Sequence, residues 1–453
     1  MVNNQIKLSL YFRCIIVFLS VSGIIVPRTV YSQGTGQDLP VSADERSLSI
    51  EQVLRLAEKA SPGLKAYVER ETQSKAVTGI QSAYLYPHLD AAGVDSTGFP
   101  GSGSPTPYGF GGLVSSPYRE GTGIDISGTW TLFDANLKHK ATASHYQELS
   151  SRAQTYITRM RVDEQALELY FNTALYRGQK ETWNEIVEKF KPIINTVKRF
   201  VRIGRYNEVE LLLLQNQQDE AKLTADTYDQ QYQGNLKRLS LALGLTSQVS
   251  QAPVLQVPGP SHLSEQSLAA IGNTTQNPLL DYAQSEVKVS KAIVDSASAA
   301  RMPRLYVTGS VGAMDSTRLV SNSDYSGWAG ISVPVFEGFS LDNEEKRARA
   351  SYREKNDLLS ATQLQVDDLN AQYDQTIQTA QMKITELAPR YEQAQRNFLL
   401  AKDRYLNFLG TVTELEESLK NLALIEAETN NARMDLLLAQ ALKKLSNGGT
   451  LKE

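Results

Sequence analysis

The sequence of 453 residues has little of what catalytic and nucleic-acid-binding proteins usually need. It contains one cysteine, four histidines and three tryptophans, and its formal net charge is −4. Lysine and arginine are spread evenly along the chain, so no basic surface for nucleic acid is expected. A single cysteine cannot form a disulfide within one chain. No run of 18 apolar residues follows residue 26, so we expect no transmembrane helix beyond that point.

The residues that carry most enzyme chemistry form no catalytic pattern. His139 and His145 are six positions apart and therefore do not share a helix face on which to bind a metal. Glu416 and Glu417 are adjacent, so they point to different helix faces and do not act as an acid–base pair. No glycine-rich phosphate loop follows a strand. We expect no enzyme activity, no cofactor and no metal, and any energy for transport would come from a partner.

The N-terminal segment has the features of a secretory signal peptide. Basic residues precede an apolar stretch at 14–26, and small residues precede Gln33, which favours cleavage after residue 32. Cys14 lies in the segment that would be removed. A lipoprotein needs a cysteine at the cleavage point, so lipid anchoring is not expected. The chain is predicted to be exported.

The most informative feature is an internal repeat. Pro62 and Pro87 are 25 residues apart, as are Pro278 and Pro303, and the two pairs are offset by 216 residues. Similar residues surround each pair, which a gene duplication explains better than chance. Each half is predicted to run helix, strand, loop, strand, long helix, glycine-containing tip and long helix.

The repeat divides the chain into segments. We predict a signal peptide at 1–32, a first repeat at 33–245, a proline-containing linker at 246–262, a second repeat at 263–446 and a tail at 447–453. The three prolines of the linker indicate an irregular connection between the halves.

Short segments in both halves alternate between apolar and polar residues, as strands with one apolar face do. They are Leu89–Phe99, Ile124–Leu132, Leu305–Ala313 and Ile331–Val335, and turn-rich loops are predicted at Gly98–Pro117 and Met314–Asp324. Strands of about ten tilted residues are long enough to cross a bilayer. We predict that the apolar side chains of two of these strands face lipid, namely Ile124, Ile126, Ile331, Val333 and Val335.

Four strands can be explained in two ways. They could form a small soluble sandwich with one core face, or they could cross a membrane. Four strands cannot close a barrel alone, and an open sheet edge is not tolerated in lipid. If they span a membrane, several chains must contribute to one barrel.

The helical pattern is stronger. About 70 residues from Asp134 to Ile203 contain one proline, Pro192, and such a helix would be roughly 100 Å long. The second half has a heptad stripe typical of a coiled-coil seam. Its members are Tyr352, Leu359, Val366, Tyr373, Ala380, Leu387, Ala394 and Ala401, with a companion set at Ile377, Ile384, Tyr391, Phe398 and Tyr405. The first half has a similar rhythm that Asp163 interrupts.

Each long helix is predicted to turn back at a glycine, Gly204 in the first half and Gly410 in the second. Glycine adopts the left-handed conformation that ends many helices, and Asn207 or Thr413 can cap the helix that follows. Cations cluster at the tips, namely Arg199, Arg202, Arg205, Lys402 and Arg404. They either complement the helix dipoles or help to close a mouth through hydrogen bonds to neighbouring helices.

These features together resemble the trimeric outer-membrane efflux proteins typified by TolC. The resemblance runs from about Leu48 to Leu445. It rests on the duplicated order of elements, on Trp130–Asp134 and its counterpart Pro334–Gly338, and on the two tips, where a glycine precedes Asn207 or Thr413. After Leu415 the sequence departs from the first tip, because it lacks the aliphatic run found at 211–214.

The resemblance implies an α+β membrane protein. Three chains would each give four strands to a 12-stranded β-barrel, continued by a long α-helical barrel in the periplasm. The implied function is an exit duct for efflux or type I secretion. The implied partners are two further copies in a homotrimer, outer-membrane lipid, a periplasmic adaptor (membrane fusion) protein and an inner-membrane pump of the RND or ABC type. The tip residues Arg202, Gly204, Arg205, Asn207, Gly410 and Thr413 would dock the adaptor and gate the duct.

Two other kinds of protein fit part of the pattern. A non-conducting trimeric coiled coil, structural or adhesive, would explain the heptads, but such fibres normally lack two strand pairs separated by helical hairpins. A periplasmic adaptor would have one hairpin and no membrane strands. The cargo is not encoded in these features, because the pump selects it.

Overall fold

The structure is a computed structural model, and it describes residues 48–96, 121–245, 256–272, 277–316 and 319–449. The expected signal peptide, the 98–117 loop and residues 246–255 of the linker lie outside this part of the chain. The elements of the first half are α1 (Ile50–Ala60), α2 (Pro62–Ala83), β1 (His88–Ser96), β2 (Gly121–Phe133), α3 (Ala135–Arg202) and α4 (Glu208–Ala242). Two short 3₁₀ turns, Pro260–His262 and Glu265–Ala270, precede α5 (Pro278–Ala299), β3 (Arg304–Ser316), β4 (Leu319–Ser332), α6 (Ser340–Leu406) and α7 (Val412–Ser446).

The four strands form one antiparallel sheet in the order β1-β2-β3-β4. The two halves of the chain meet at β2 and β3, where Thr129 pairs with Thr308 and their hydroxyl oxygens are 2.8 Å apart. Within the described residues, β1 and β4 each have a strand on one side alone. The sheet therefore presents two free edges.

One face of the sheet is apolar and exposed. Cross-strand partners share a face, so Ile126, which pairs with Val311, and Trp130, which pairs with Val307, lie on the same side. About half of the Ile126 side chain and most of Tyr325 are accessible. The opposite face carries hydroxyl groups, and Ser310 and Ser326 lie 2.8 Å apart on it. The alternation predicted from the sequence is therefore confirmed, although no part of the described chain covers the apolar face.

The predicted strand ends need two corrections. The predicted strand Ile331–Val335 is wrong beyond Ser332, where β4 ends. Pro334 has no N–H to donate to a ladder, so Val333 and Val335 lie in the connection to α6. The predicted loop Met314–Asp324 is also wrong, because β3 and β4 continue through most of it. Its polar residues suggested a turn, yet backbone pairing extends to Ser316 and Leu319.

The two long helices match the prediction closely. α3 has 68 residues and α6 has 67, and each continues through one internal proline, Pro192 or Pro389. At 1.5 Å per residue each is roughly 100 Å long. The side chains that α6 buries, including Val366, Ala380, Leu387 and Ala394, belong to the predicted heptad stripe. One stripe of α6 is thus used within the chain, and the rest of its surface is free.

The long helices pack side by side. α3 contacts α1, α2, α4, α5 and α7, whereas α6 packs mainly on α5 and α7. Below the level of α2 and α5 the order is α4, α3, α7, α6, so α4 and α6 are the outer helices. None of the described helices is long and apolar enough to cross a membrane.

Two buried clusters stabilise the helices. One lies where α1 packs on α3 and includes Leu54, Leu167 and Tyr170, whose hydroxyl donates to the Leu48 carbonyl at 2.9 Å. The other lies toward the turns between the long helices and includes Leu214 and Leu415. Apolar burial of this kind is the main stabilising contribution to a helix layer.

Candidate functional site: the two helix-hairpin tips

The first tip is the turn between α3 and α4, and it ends α3 in a Schellman motif. Gly204 has φ +72°, and its N–H donates to the Val201 carbonyl at 3.0 Å. The N–H of Arg205 reaches back to the Phe200 carbonyl at 2.9 Å. This pair of bonds satisfies carbonyls that the helix end leaves free. The predicted left-handed glycine is confirmed at Gly204.

Asn207 begins the helix that follows. Its side-chain Oδ1 accepts a hydrogen bond from the N–H of Val209 at 3.2 Å. A cap of this kind satisfies one of the free N–H groups at the start of a helix. The predicted cap is therefore confirmed, and five residues, 203–207, join α3 to α4.

The second tip makes the same turn with different residues, and here two predictions are wrong. The left-handed residue is Phe408, with φ +61°, and not Gly410. The N–H groups of Phe408 and Leu409 donate to the carbonyls of Tyr405 and Arg404 at 3.1 and 2.8 Å. A left-handed phenylalanine costs about 1–2 kcal/mol, so neighbouring contacts must hold it.

The cap of α7 also differs from the prediction. Thr411, not Thr413, precedes the helix, and its hydroxyl accepts from the N–H of Glu414 at 3.2 Å. Gly410 lies where a side chain would be crowded: a Cβ there would lie 3.2 Å from the Cβ of Arg404, and equally close to a Glu414 carboxylate oxygen. The rule that places glycine at the left-handed position predicts Gly410 and then Thr413 as the cap. Each prediction is two residues too late, because Phe408 is left-handed and Thr411 is the cap.

An aromatic cluster joins the two tips. The ring of Phe408 lies 5.1 Å from that of Phe200 and 4.9 Å from that of Tyr206, centroid to centroid. Tyr206 also stacks on Tyr405 at 5.1 Å, and the guanidinium of Arg205 lies 5.7 Å over the Phe408 ring. Aromatic pairs of this kind contribute about 0.5–1.5 kcal/mol each. They are sufficient to hold Phe408 in its left-handed conformation.

Polar contacts accompany the cluster. The Tyr206 hydroxyl donates to the Tyr405 carbonyl, and the Tyr405 hydroxyl donates to Glu210 Oε2 at 3.2 Å. Tyr405 is 1 % exposed. Burial raises its pKa, and the Glu210 charge raises it further. Tyr405 therefore stays a neutral donor at any physiological pH, and it links the end of α6 to the start of α4.

Sequence reasoning missed this contact because its partners are 195 residues apart. The sequence offers two signals for this contact. Tyr405 lies three residues before the left-handed Phe408, and Glu210 lies three residues after Asn207. Neither is specific in a single sequence.

The predicted cations lie on the outer surface of the tips. Arg202, in the last turn of α3, and Arg205 are exposed. Arg404 donates to the Leu409 carbonyl at 3.4 Å, which fits a cation at a helix C-terminus. Within the described residues, Arg202 and Arg205 make no salt bridge. They are available to groups outside this chain.

The predicted lipid-facing residues fall into two groups. Ile126 and Ile331 lie on the apolar sheet face, 52 % and 69 % exposed. Ile124 is in β2 opposite Ala313, but its side chain lies outside the described part. Val333 and Val335 follow β4 and are exposed. Contact with lipid remains a prediction for all five.

Comparison with known proteins identifies what this geometry resembles. The model of the family described as outer membrane efflux protein matches residues 274–448, which correspond to the second half. No curated protein matches the sequence significantly. The family match confirms, over the second half of the chain, the resemblance inferred from the repeat.

Solved structures show the same fold over nearly the whole chain. One is CusC, whose crystal structures show conformational changes that accompany folding and transmembrane channel formation. It aligns with a TM-score of 0.74 at 14 % identity, and the alignment covers 91 % of this chain and 96 % of CusC. The outer membrane protein VceC from Vibrio cholerae gives 0.73 at 15 %, covering 89 % and 97 %. The Campylobacter jejuni CmeC outer membrane channel gives 0.71 at 17 %, covering 89 % and 87 %.

Proposed function

We propose, from the resemblance to outer-membrane efflux proteins, that three copies of this chain form an exit duct through the outer membrane. Each copy gives its four strands, so that three copies close a 12-stranded barrel. The observation that carries the proposal is the sheet, which has an exposed apolar face and two free edges. Both are unfavourable for an isolated chain, because free strand edges and bare apolar faces drive association.

The helices would continue the duct into the periplasm. α3 and α6 leave the same sheet and are long enough, at roughly 100 Å each, to extend far below the membrane. From α2 and from α5 onward the halves have the same order of elements, which supports an origin by gene duplication. A wall built from four helical rods per copy explains why α4 and α6 leave their outer faces free.

The duct is passive in this proposal. The sequence has no nucleotide-binding loop, so an inner-membrane pump, of the RND or ABC type, would supply the energy for efflux or type I secretion. A periplasmic adaptor would connect the pump to the tips. The exposed Arg202 and Arg205 support this placement, because they are cations without an ionic partner in the described chain.

The tips would also gate the duct. The bond from Tyr405 to Glu210 and the stacking of Tyr206 on Phe408 hold the two hairpins of one chain together. Opening the mouth would require these contacts to break or the tips to move as one body. Either way, the resting duct is closed by contacts that are individually weak, of about 0.5–3 kcal/mol each.

The proposal is tested by the mass of the protein in mild detergent and by its behaviour in a membrane. Three chains per particle are expected, and heating should dissociate them. A monomer that conducts ions would refute the closure argument. A stable trimer that never conducts would instead support a structural or adhesive coiled coil.

A further inference from the structure

A cleft far from the tips and the sheet lies where α1 ends and α2 begins, against α3. Its volume is about 380 Å³, within the range of about 300–1,000 Å³ that small-ligand sites occupy. At about 30 Å³ for each water molecule, it has room for roughly a dozen water-sized groups. All of its lining residues belong to helices. The walls of this cleft are therefore regular structure and not loops.

Four cations from three helices line the cleft, and carboxylates neutralise two of them. Arg55 of α1 pairs with Glu51 at 2.7 Å, and Arg159 of α3 pairs with Glu58 at 3.5 Å. The other two are Lys59, in the last turn of α1, and Lys65 of α2. Within the described residues neither lysine makes a salt bridge, and the first turn of α2 contains no acidic residue. The cleft thus presents two ammonium groups from different helices that are available to an anion.

Arg159 adds a guanidinium whose position is already fixed. The group lies 5.6 Å over the ring of Tyr156, and its Nε is buried without a hydrogen-bond partner in the described chain. The pairing with Glu58 is long for a direct hydrogen bond, so it leaves donors of the guanidinium unused. A planar guanidinium matches the geometry of a carboxylate.

The lining also has an apolar part. Leu64 and Val68 lie one turn apart on α2, and Val68 is 44 % exposed. The methylene stems of the two lysines extend this apolar surface, while their charged ends remain in water. A cleft of this size and composition suits a ligand that has both a carboxylate and a small aliphatic group better than it suits a bare anion.

We propose that this cleft binds the free terminal carboxylate of a short peptide. Lys59, Lys65 and Arg159 hold the carboxylate, and a small aliphatic side chain of the peptide rests on Val68. This site goes beyond the proposed duct and needs none of its residues. Arg159 lies about 24 residues into α3, roughly 36 Å from the sheet. In the proposed duct the cleft would therefore lie below the membrane, where soluble peptides have access to it.

The binding can be measured by fluorescence anisotropy on the full chain in mild detergent. The probe is trialanine with a dye on its amino end and a free terminal carboxylate. We expect saturable binding at low salt that weakens as the ionic strength rises. The same peptide with a terminal amide should bind about tenfold more weakly, because a hydrogen bond to a charged group is lost.

Variants of the lining make the expectation specific. Lys59→Gln with Lys65→Gln should weaken binding of the free peptide by about tenfold or more, and Lys59→Arg with Lys65→Arg should retain most of it. Lys75→Gln is the matched control, because Lys75 is exposed on the same helix but does not line the cleft. Its affinity should equal that of the wild type.

Glu69 gives a test of opposite sign. It is the lining carboxylate that makes no salt bridge within the described residues, so its charge opposes an incoming carboxylate. Glu69→Gln should therefore tighten binding severalfold. Loss of binding in both Glu69→Gln and the lysine variants would indicate damage to the fold and would overturn the electrostatic account.

The remaining outcomes are equally decisive. Equal affinity for the acid and the amide would overturn the inference without any change to the protein. Displacement of the peptide by an equal concentration of inorganic phosphate would show an anion site without preference for peptides, and the proposed ligand would be wrong. Mass measurement on the same sample separates this inference from the proposed function. A trimer that does not bind the peptide refutes the site alone, whereas a monomer that binds it refutes the duct alone.

Discussion

Replacing Asp163 with asparagine should stabilise the protein at neutral pH and flatten the pH dependence of its unfolding. Asp163 interrupts the apolar rhythm of α3 and is 2 % exposed. Its Oδ1 has no hydrogen-bond partner in the described chain. Burial raises the pKa of Asp163 to about 8. Glu58 from α1 and Glu164 raise it further, and Arg159 opposes them.

The direction of the pH dependence follows from the pKa of Asp163 in the folded and in the unfolded protein. The folded carboxyl stays protonated up to about pH 8, whereas in the unfolded chain it ionises near pH 4. Between these values unfolding releases a proton, so the free energy of unfolding falls as pH rises from about 4 to 8 and then levels off. At pH 7 the cost is roughly 4 kcal/mol, from about three pKa units at about 1.4 kcal/mol each. Asparagine keeps a buried polar group, so we expect it to recover roughly 2 kcal/mol.

Thermal unfolding of the detergent-solubilised protein, followed by helical circular dichroism at pH 5, 7 and 9, measures this effect. The wild-type midpoint should fall toward pH 9, and the Asp163→Asn midpoint should fall less. Asp229→Asn is the matched control: Asp229 pairs with Lys180 at 2.8 Å and is partly exposed, so its loss should cost under about 1 kcal/mol. The reasoning is refuted if Asp163→Asn and wild type have the same pH dependence.

Three further predictions concern the sheet and the tips. Ile126→Lys should cost roughly 2–4 kcal/mol of trimer stability if the apolar face meets lipid, whereas Ser127→Lys on the opposite face should cost less; equal heat resistance of the two trimers would contradict a lipid-facing Ile126. Gly410→Leu should leave the trimer intact but abolish export in cells, because the added Cβ meets neighbours at 3.2 Å and distorts the docking surface. Full export by this variant would show that this tip is not part of the functional site. Tyr405→Phe removes the hydrogen bond to Glu210, worth about 1.5–3 kcal/mol, and Arg205→Ala removes the cation over Phe408. Each variant should raise the conductance of the isolated duct. Unchanged conductance would show that these groups do not close it.

Much of the architecture could be predicted from the sequence because its signals are local. The heptad stripe of α6 and the apolar alternation of β2 follow from residue spacing alone, and Asn207 is a common cap before a helix. Long helices with few breaks are the elements that periodicity identifies best.

The second tip could not be predicted because it departs from the usual chemistry of helix ends. Phe408 occupies a position where glycine is expected, and it is held there by Phe200 and Tyr206 from the other hairpin. The full length of β3 and β4 could not be predicted for a related reason. Polar residues in an exposed hairpin have the composition of a loop, and only backbone pairing shows that they belong to strands. Contacts between distant segments, such as Tyr405 with Glu210, leave no mark in a single sequence.

Single-channel recording in a planar bilayer tests the central claim most directly. Purified protein that runs as three chains should insert as discrete channels of one conductance, and opening should increase when Tyr405→Phe loosens the tips. Trimers that insert and never conduct, or conductance that persists in monomers, would contradict the account of a duct closed at its tips and built from three open-edged sheets.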